Sequence, residues 1–204
     1  KLALHGMMGA VYVQTSDAPV SFTDEATTAD ATRKRYTITN GTKRYWDKNT
    51  DVVVKKNNTV ITTGFHIEHA GGAVVFDDAL SGTDVVTVSG KYVAVAQVGG
   101  MFNWSLDLAV DTQEKTTFQS GEWREFEATL VSFAGSAEAY WGDDRFFQLL
   151  GEEMIVVLYV DKDGPAAYEG YAIFNGDGIT TDVNELIQEE IDFTGVGPIC
   201  YRGD

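Results

Sequence analysis

From Phe102 to Asp111 the chain alternates with a period of two. Phe102, Trp104, Leu106, Leu108 and Val110 fall on one face, and Asn103, Ser105, Asp107, Ala109 and Asp111 on the other. Only an extended strand repeats at every second residue, so this run commits the region to a sheet with one face on a core and the other in water. The pattern returns near the C-terminus. There Ile187, Glu189, Ile191 and Phe193 alternate with Leu186, Gln188, Glu190 and Asp192, and Glu125, Glu127 and Thr129 share a side in the same way.

The rest of the chain has the same texture, with short runs rich in Val, Thr, Ile, Phe and Tyr broken by Gly, Asn and Asp. The spacing predicts strands over 9–15, 35–39, 51–56, 60–67, 73–76, 85–88, 92–98, 102–111, 125–133, 137–141, 154–161, 168–174 and 185–193. Asn40-Gly41, Asn57-Asn58, Gly71-Gly72, Asp161-Lys-Asp-Gly164 and Asn175-Gly-Asp-Gly178 supply residues that tolerate positive φ, and each predicts a turn. One short helix is predicted over Asp143–Leu150. Asp143 and Asp144 stand at its N-terminus, Phe146, Phe147, Leu149 and Leu150 form an apolar stripe, and Gly151 is the C-cap. Residues 16–32, small, acidic and poor in large apolar groups, predict an extended loop or arm. The reading is a mainly β fold, a β-sandwich with one flanking α-helix. It forms a single domain over 1–204, with a basic β module inserted at 33–93.

Composition narrows the functional classes. The net charge of −16 opposes binding to nucleic acid or to anionic membranes. No run approaches the roughly 18 apolar residues of a membrane span, and no N-terminal apolar stretch reads as a signal peptide. One cysteine, Cys200, excludes an internal disulfide framework and fits a reducing compartment. The expectation is a soluble protein made inside a cell. The charge is uneven: residues 33–56 carry eight basic groups against Asp47 and Asp51, a net +6, which leaves −22 elsewhere. Such a segment fits a solvated basic face, or a contact with the acidic surface of an identical neighbour.

No catalytic constellation emerges. His66 and His69 lie three apart on a predicted strand and so point to opposite faces, and His5 stands alone. Neither Asp161–Gly164 nor Asn175–Gly178 continues into the ligand spacing of a calcium loop, so hairpin turns explain both. Carboxylate pairs are plentiful simply because the chain is acidic. The terminal Arg202-Gly-Asp204 reads as a frayed tail. The expectation is therefore no enzyme, no metal and no cofactor.

One block carries a resemblance. It consists of Val98-Gly-Gly-Met-Phe-Asn-Trp-Ser-Leu-Asp-Leu108, then Asp111-Thr-Gln-Glu-Lys-Thr-Thr-Phe118, then Gly121-Glu-Trp-Arg-Glu-Phe126, and it ends in Ser132-Phe-Ala-Gly-Ser-Ala-Glu-Ala-Tyr-Trp141. Together with Tyr168-Glu-Gly-Tyr-Ala-Ile173 and Asp192-Phe-Thr-Gly-Val-Gly197, it resembles the major tail tube proteins of long-tailed bacteriophages. The resemblance covers roughly residues 94–199, with a weaker echo at 6–14.

That resemblance implies subunits that close into hexameric rings with a continuous inner β-barrel. The rings stack head to tail around a tape-measure protein, and DNA later passes through. Tail terminator and tail-tip proteins are the implied partners, with no membrane anchor. The location is the virion tail, assembled in the host cytoplasm. On this reading the lumen-lining candidates are Asp107, Asp111, Glu125, Glu127, Glu190 and Asp192. The inter-ring candidates are Arg33, Lys34, Arg35, Lys43, Arg44, Lys55 and Lys56. The alternatives are a tail-terminator or tail-tip ring subunit, a contractile-type inner tube, and a β-sandwich carbohydrate-binding domain.

Overall fold

The computed structural model describes residues 9–142 and 145–203. Among the described residues, fourteen strands and one short α-helix follow one another along the chain. They are β1 (Ala10–Gln14), β2 (Val20–Ala29), β3 (Arg35–Ile38), β4 (Val53–Lys56), β5 (Thr59–Ile61), β6 (Phe65–Glu68), β7 (Ala73–Phe76), β8 (Val86–Tyr92), β9 (Val95–Gln97), β10 (Met101–Glu114), β11 (Phe126–Tyr140), α1 (Arg145–Leu149), β12 (Glu153–Tyr159), β13 (Ala167–Thr180) and β14 (Gln188–Arg202). They form two seven-stranded sheets, ordered β10-β11-β14-β13-β12-β1-β9 and β5-β4-β8-β2-β3-β7-β6. The fold is mainly β with one short helix, as the alternation predicts. The chain divides into two compact units. The first holds Lys1–Val98, Met154–Tyr171 and Ile199–Asp204, and the second holds Gly99–Glu153 and Ala172–Pro198.

In the first unit the second sheet curls into an open barrel, and the topology alone requires it. Strands β5 and β6 are the two edges of the sheet, yet only residues 62–64 join them. A link that short spans at most about 14 Å from Ile61 to Phe65. The predicted single strand at 60–67 is therefore two strands, broken where the sheet comes round on itself. The interior is filled by Phe22, Tyr36, Ile38, Trp46, Val54, Val74, Phe76, Val86 and Val88. Trp46 is fully buried, and its indole N–H donates to the Lys43 carbonyl at 2.9 Å, so the ring is buried without an orphaned donor.

The predicted arm at 16–32 is instead largely strand β2, a central member of this sheet. It pairs with β8 on one side and β3 on the other. Its sequence hides this because only Phe22 reaches the core, while the threonines bond locally. Thr27 Oγ1 donates to the Val86 carbonyl at 2.8 Å, and Thr28 meets Thr39 at 2.9 Å. A bulge between Phe22 and Glu25 puts Asp24 at φ 50 and lets β2 bend from one partner to the next. The Asp24 amide donates to Ser89 Oγ, and Lys55 Nζ reaches its carboxylate at 2.7 Å, which pins the bulge.

The first unit also contains a buried ionic cluster. Glu169 is 0% exposed, and its carboxylate accepts from Arg44 Nε at 2.8 and 3.0 Å and from Tyr45 Oη at 3.3 Å. Arg202 Nη1 lies 3.2 Å away, and Arg202 Nε donates to the Pro165 carbonyl. Burial, and then the charge of Glu169, push the Tyr45 hydroxyl far above its ordinary value, so it stays a neutral donor. Arg202 belongs to the end of β14 and is held by Glu169. This corrects the reading of a frayed tail there, while Asp204 lies outside the described residues.

The second unit is built on β10, β11 and the adjoining stretches of β13 and β14. Phe133, Phe146, Phe174, Ile191 and Phe193 form its core, with Phe174 5.9 Å from Phe146 and 6.4 Å from Phe193. Two glycines make room for these rings. A Cβ on Gly135 would sit 2.5 Å from the Phe193 ring, and one on Gly195 would sit 2.2 Å from the Phe133 ring. Gly135 therefore continues β11 where a break between 133 and 137 was predicted. Asn175–Gly178 is likewise interior to β13, and the connection to β14 comes later, at 181–187. Helix α1 is shorter than predicted, and Asp143 and Asp144 lie outside the described residues. Of the predicted stripe only Phe146 is buried; Phe147 and Leu150 are exposed.

Breaking a buried ion pair from one side leaves an uncompensated charge, which costs about 3–5 kcal/mol. Arg44→Met should lower stability to chemical denaturation by that amount, and adding Glu169→Leu should restore much of it. Wild-type stability in Arg44→Met would show that the cluster does not hold the first unit together.

Candidate assembly surfaces

The register of the second unit brings a polar face together row by row. Asn103 stands opposite Glu138 and Glu138 opposite Glu190; Ser105 faces Ser136 and Ser136 faces Asp192; Asp107 faces Ala134 and Ala134 faces Thr194. Asn103 Nδ2 donates to Glu138 at 3.2 Å, the Ser105 and Ser136 hydroxyls meet at 3.1 Å, and Asn175 Nδ2 donates to Thr194 at 2.7 Å. Three of the six predicted carboxylates, Asp107, Glu190 and Asp192, thus share one small-residue, solvent-facing surface. Glu138 joins them. The alternation of Ser132, Ala134, Ser136 and Glu138 was the signal that would have found it.

The other three candidates are placed differently. Asp111 falls at a register shift between Val110 and Thr112. Glu127 lies beyond that shift, opposite Gln113. Glu125 precedes β11, in the 115–125 loop, where its carbonyl accepts from the Lys115 amide and its own amide donates to Thr116 Oγ1. The common side predicted for Glu125, Glu127 and Thr129 is therefore not a strand face. Across the whole second unit, seventeen carboxylates meet three basic groups, a net −14.

The apolar face of the β10–β11 hairpin was predicted to pack on a core along its full length. Only its base does so. Trp104 and Leu106 are half-buried, but Leu108 is 56% exposed, Val131 72% and Trp123 83%, and Phe118 at the loop tip is fully exposed. Val110, Phe126 and Leu130 are bare as well. In sheet order β10 is also an edge, fourteen residues long and hydrogen-bonded only to β11.

A second bare apolar group lies at the opposite end of this sheet. Tyr140 pairs with Gln188, and the Trp141 amide donates to the Ile187 carbonyl at 2.9 Å, so the 181–187 connection sits at the base of the hairpin. Val183 and Leu186 are exposed there, beside Tyr140, Trp141 and Phe102, whose ring lies 4.9 Å from that of Tyr140. Exposed apolar residues at one point are ordinary; large groups at both ends of one sheet are an assembly signal.

The basic candidates find partners close by. Arg35 binds Glu68 at 2.6 Å, Lys43 binds Glu25, Lys55 binds Asp24 at 2.7 Å, and Lys56 lies 3.9 Å from Asp84. Lys34 Nζ donates to the Asp77 carbonyl at 2.6 Å. Arg44 is buried against Glu169, so it offers no surface contact, which corrects its reading as an inter-ring residue. Only Arg33, of the seven, is both exposed and without a protein acceptor for its guanidinium among the described residues. The +6 of residues 33–56 is thus a property of a sequence window. Over 20–92, where the strands of the barrel lie, nine basic groups meet nine carboxylates.

Among the described residues no group of three or more His, Cys, Asp and Glu is placed to hold a metal ion. His66 is on β6, His69 follows its end, and His5 lies outside the described residues. Asp161–Gly164 is a turn, with the Asp163 amide donating to Asp161 Oδ1 at 3.0 Å.

No family model matches the chain, and no curated protein does. Several solved chains are similar to it in part, two of which follow. One is the tail of an empty gene transfer agent particle with C6 symmetry, at 17% identity and a TM-score of 0.47, covering 54% of this chain and 87% of that one. The other is the virion of a native gene transfer agent particle, at 16% identity and a TM-score of 0.47, covering 53% and 89%. Likenesses this slight carry no argument about what the chain does.

Burial, and then the charge of Glu68, raise the Cys200 thiol from 9.0 to about 11. At pH 8 that leaves roughly a hundredfold less thiolate than the ordinary value would, in keeping with an inert buried cysteine. Alkylation by iodoacetamide should therefore be slower by that factor in the folded chain than in urea. Equal rates would contradict the burial.

Proposed function

We propose that this chain is a structural subunit of a viral tail that polymerises head to tail into the tail tube. One observation carries the reading: the bare apolar groups lie at opposite ends of a single acidic sheet. A surface that paired with its own copy would close as a dimer. Two different surfaces at opposite ends instead make a heterologous contact, which propagates. In the tube, Phe118 and Trp123 at the hairpin tip of one copy meet Val183, Leu186 and Trp141 at the hairpin base of the next.

Lateral closure uses the free edge of β10, whose unpaired backbone groups invite a strand from a neighbouring copy. Six copies in a ring would join their sheets into one inner barrel, with the face bearing Asp107, Glu138, Glu190 and Asp192 towards the bore. Like-charge repulsion there lets DNA pass without sticking. The tape-measure protein would occupy the bore during assembly, and terminator and tip proteins would cap the ends. The role is geometric, it needs no catalytic residue, and its place is the virion tail.

Negative-stain microscopy of the purified protein tests this. Hollow filaments are expected, with an axial repeat no longer than the roughly 50 Å contour of the fifteen-residue β11. Trp123→Glu combined with Phe118→Ser should leave folded subunits or single rings and abolish filaments. Monomers at every concentration would sink the proposal, and wild-type chains that stop at single rings would point to a terminator.

A further inference from the structure

Strand β2 and the loop before β8 flank an open cleft of about 360 Å³ on the first unit, lined by Thr28, Arg33, Tyr36, Ser81, Gly82 and Asp84 among others. Arg33 is built into it with care. Its backbone is left-handed, at φ 56, a conformation that disfavours a residue with a side chain, and it is held at both ends. Its amide donates to the Asp30 carbonyl at 3.1 Å, and its own carbonyl accepts from the Leu80 amide at 3.0 Å. The guanidinium lies flat on Gly82, where a Cβ would stand 2.3 Å from Nη1 and 2.8 Å from Cζ.

Beside it is Tyr36, 4% exposed, its ring edge-on to Phe76 at 5.5 Å. Tyr36 lines the cleft, and its hydroxyl has no hydrogen-bond partner among the described residues. The ring is buried, but the hydroxyl reaches solvent through the cleft, where it is a donor free to meet a ligand. The one carboxylate present, Asp84, is already engaged. It accepts from Asn57 Nδ2 at 2.8 Å and from the Ser81 amide at 3.0 Å, with Lys56 at 3.9 Å. The hydrogen bond from Asn57 is the main cause holding its pKa below the ordinary value, so it is ionised and already engaged.

We infer that this cleft is a receptor for a carboxylate, taken by the Arg33 guanidinium and the Tyr36 hydroxyl. What remains unspent is a fixed planar cation and a neutral donor. The two-pronged guanidinium matches the two oxygens of a carboxylate. The carboxylate comes either from an acidic side chain of a second copy or from a free carboxylic acid. Only the first source rests on the assembly proposed above.

Saturation-transfer NMR with N-acetyl-glutamate tests the receptor. It is read on the unassembled Phe118→Ser, Trp123→Glu chain, so the result does not depend on polymerisation. Saturable binding is expected, weakened about tenfold by Arg33→Met, the loss of one charge-assisted pair. Tyr36→Phe, which keeps the buried ring, should also weaken it, while Lys34→Met should leave it unchanged. No saturable signal, equal binding in Arg33→Met, or tighter capture of inorganic phosphate would overturn the inference. Pelleting of Arg33→Met in an otherwise wild-type chain then separates the sources. Weaker assembly assigns the carboxylate to a second copy, and unchanged assembly to a free acid.

Discussion

A single buried carboxylate organises much of the first unit. Glu169 has no water to solvate it, so its charge has to be met by protein, and Arg44, Tyr45 and Arg202 converge on it from distant parts of the sequence. These partners tie the loop following β3 and the end of β14 to the start of β13. Near them Tyr171 donates to the Trp46 carbonyl at 2.5 Å, joining the same strand to the residue that plugs the barrel. An apolar residue at 169 would pack without this demand, but it would not specify which segments meet. β13 starts at the cluster and runs on into the second unit, and β14 returns from the second unit to end at the cluster with Arg202.

The fold was legible wherever alternation was strong and both partners were apolar. Strands β1, β7 and β12 fall close to their predicted bounds because each contributes several side chains to a core. Strand β2 was missed because a central strand needs hydrophobic residues only where it faces the interior, and here that is Phe22. Its threonines satisfy the backbone and one another, and look from sequence like a polar loop. Asn175–Gly178 misled in the other direction, since residues that permit a turn do not impose one when both neighbouring strands continue.

The candidate surfaces divide in the same way. Local periodicity put Asp107, Glu190 and Asp192 on one face, because period two survives pairing as long as the register does. It failed at Asp111 and Glu125, where a register shift and a loop intervene. Charge was the least legible property. A count over 33–56 is blind to Asp24, Glu25, Glu68 and Asp84, which the fold brings alongside, and what reads as a basic patch becomes a neutral barrel with one uncommitted arginine. The acidity of the second unit, by contrast, has almost no basic groups in its own stretch of chain to cancel it.

The short link at residues 62–64 has a further consequence. By drawing β5 and β6 towards each other it reduces the barrel's exposed rims to strands of three and four residues, too brief to template much pairing. At the far side of the other sheet, β9 is equally brief. Among the described residues one open seam of real length is left, along β10. A chain that hides its other seams so thoroughly limits the ways its copies can misjoin, and growth is steered to a single address.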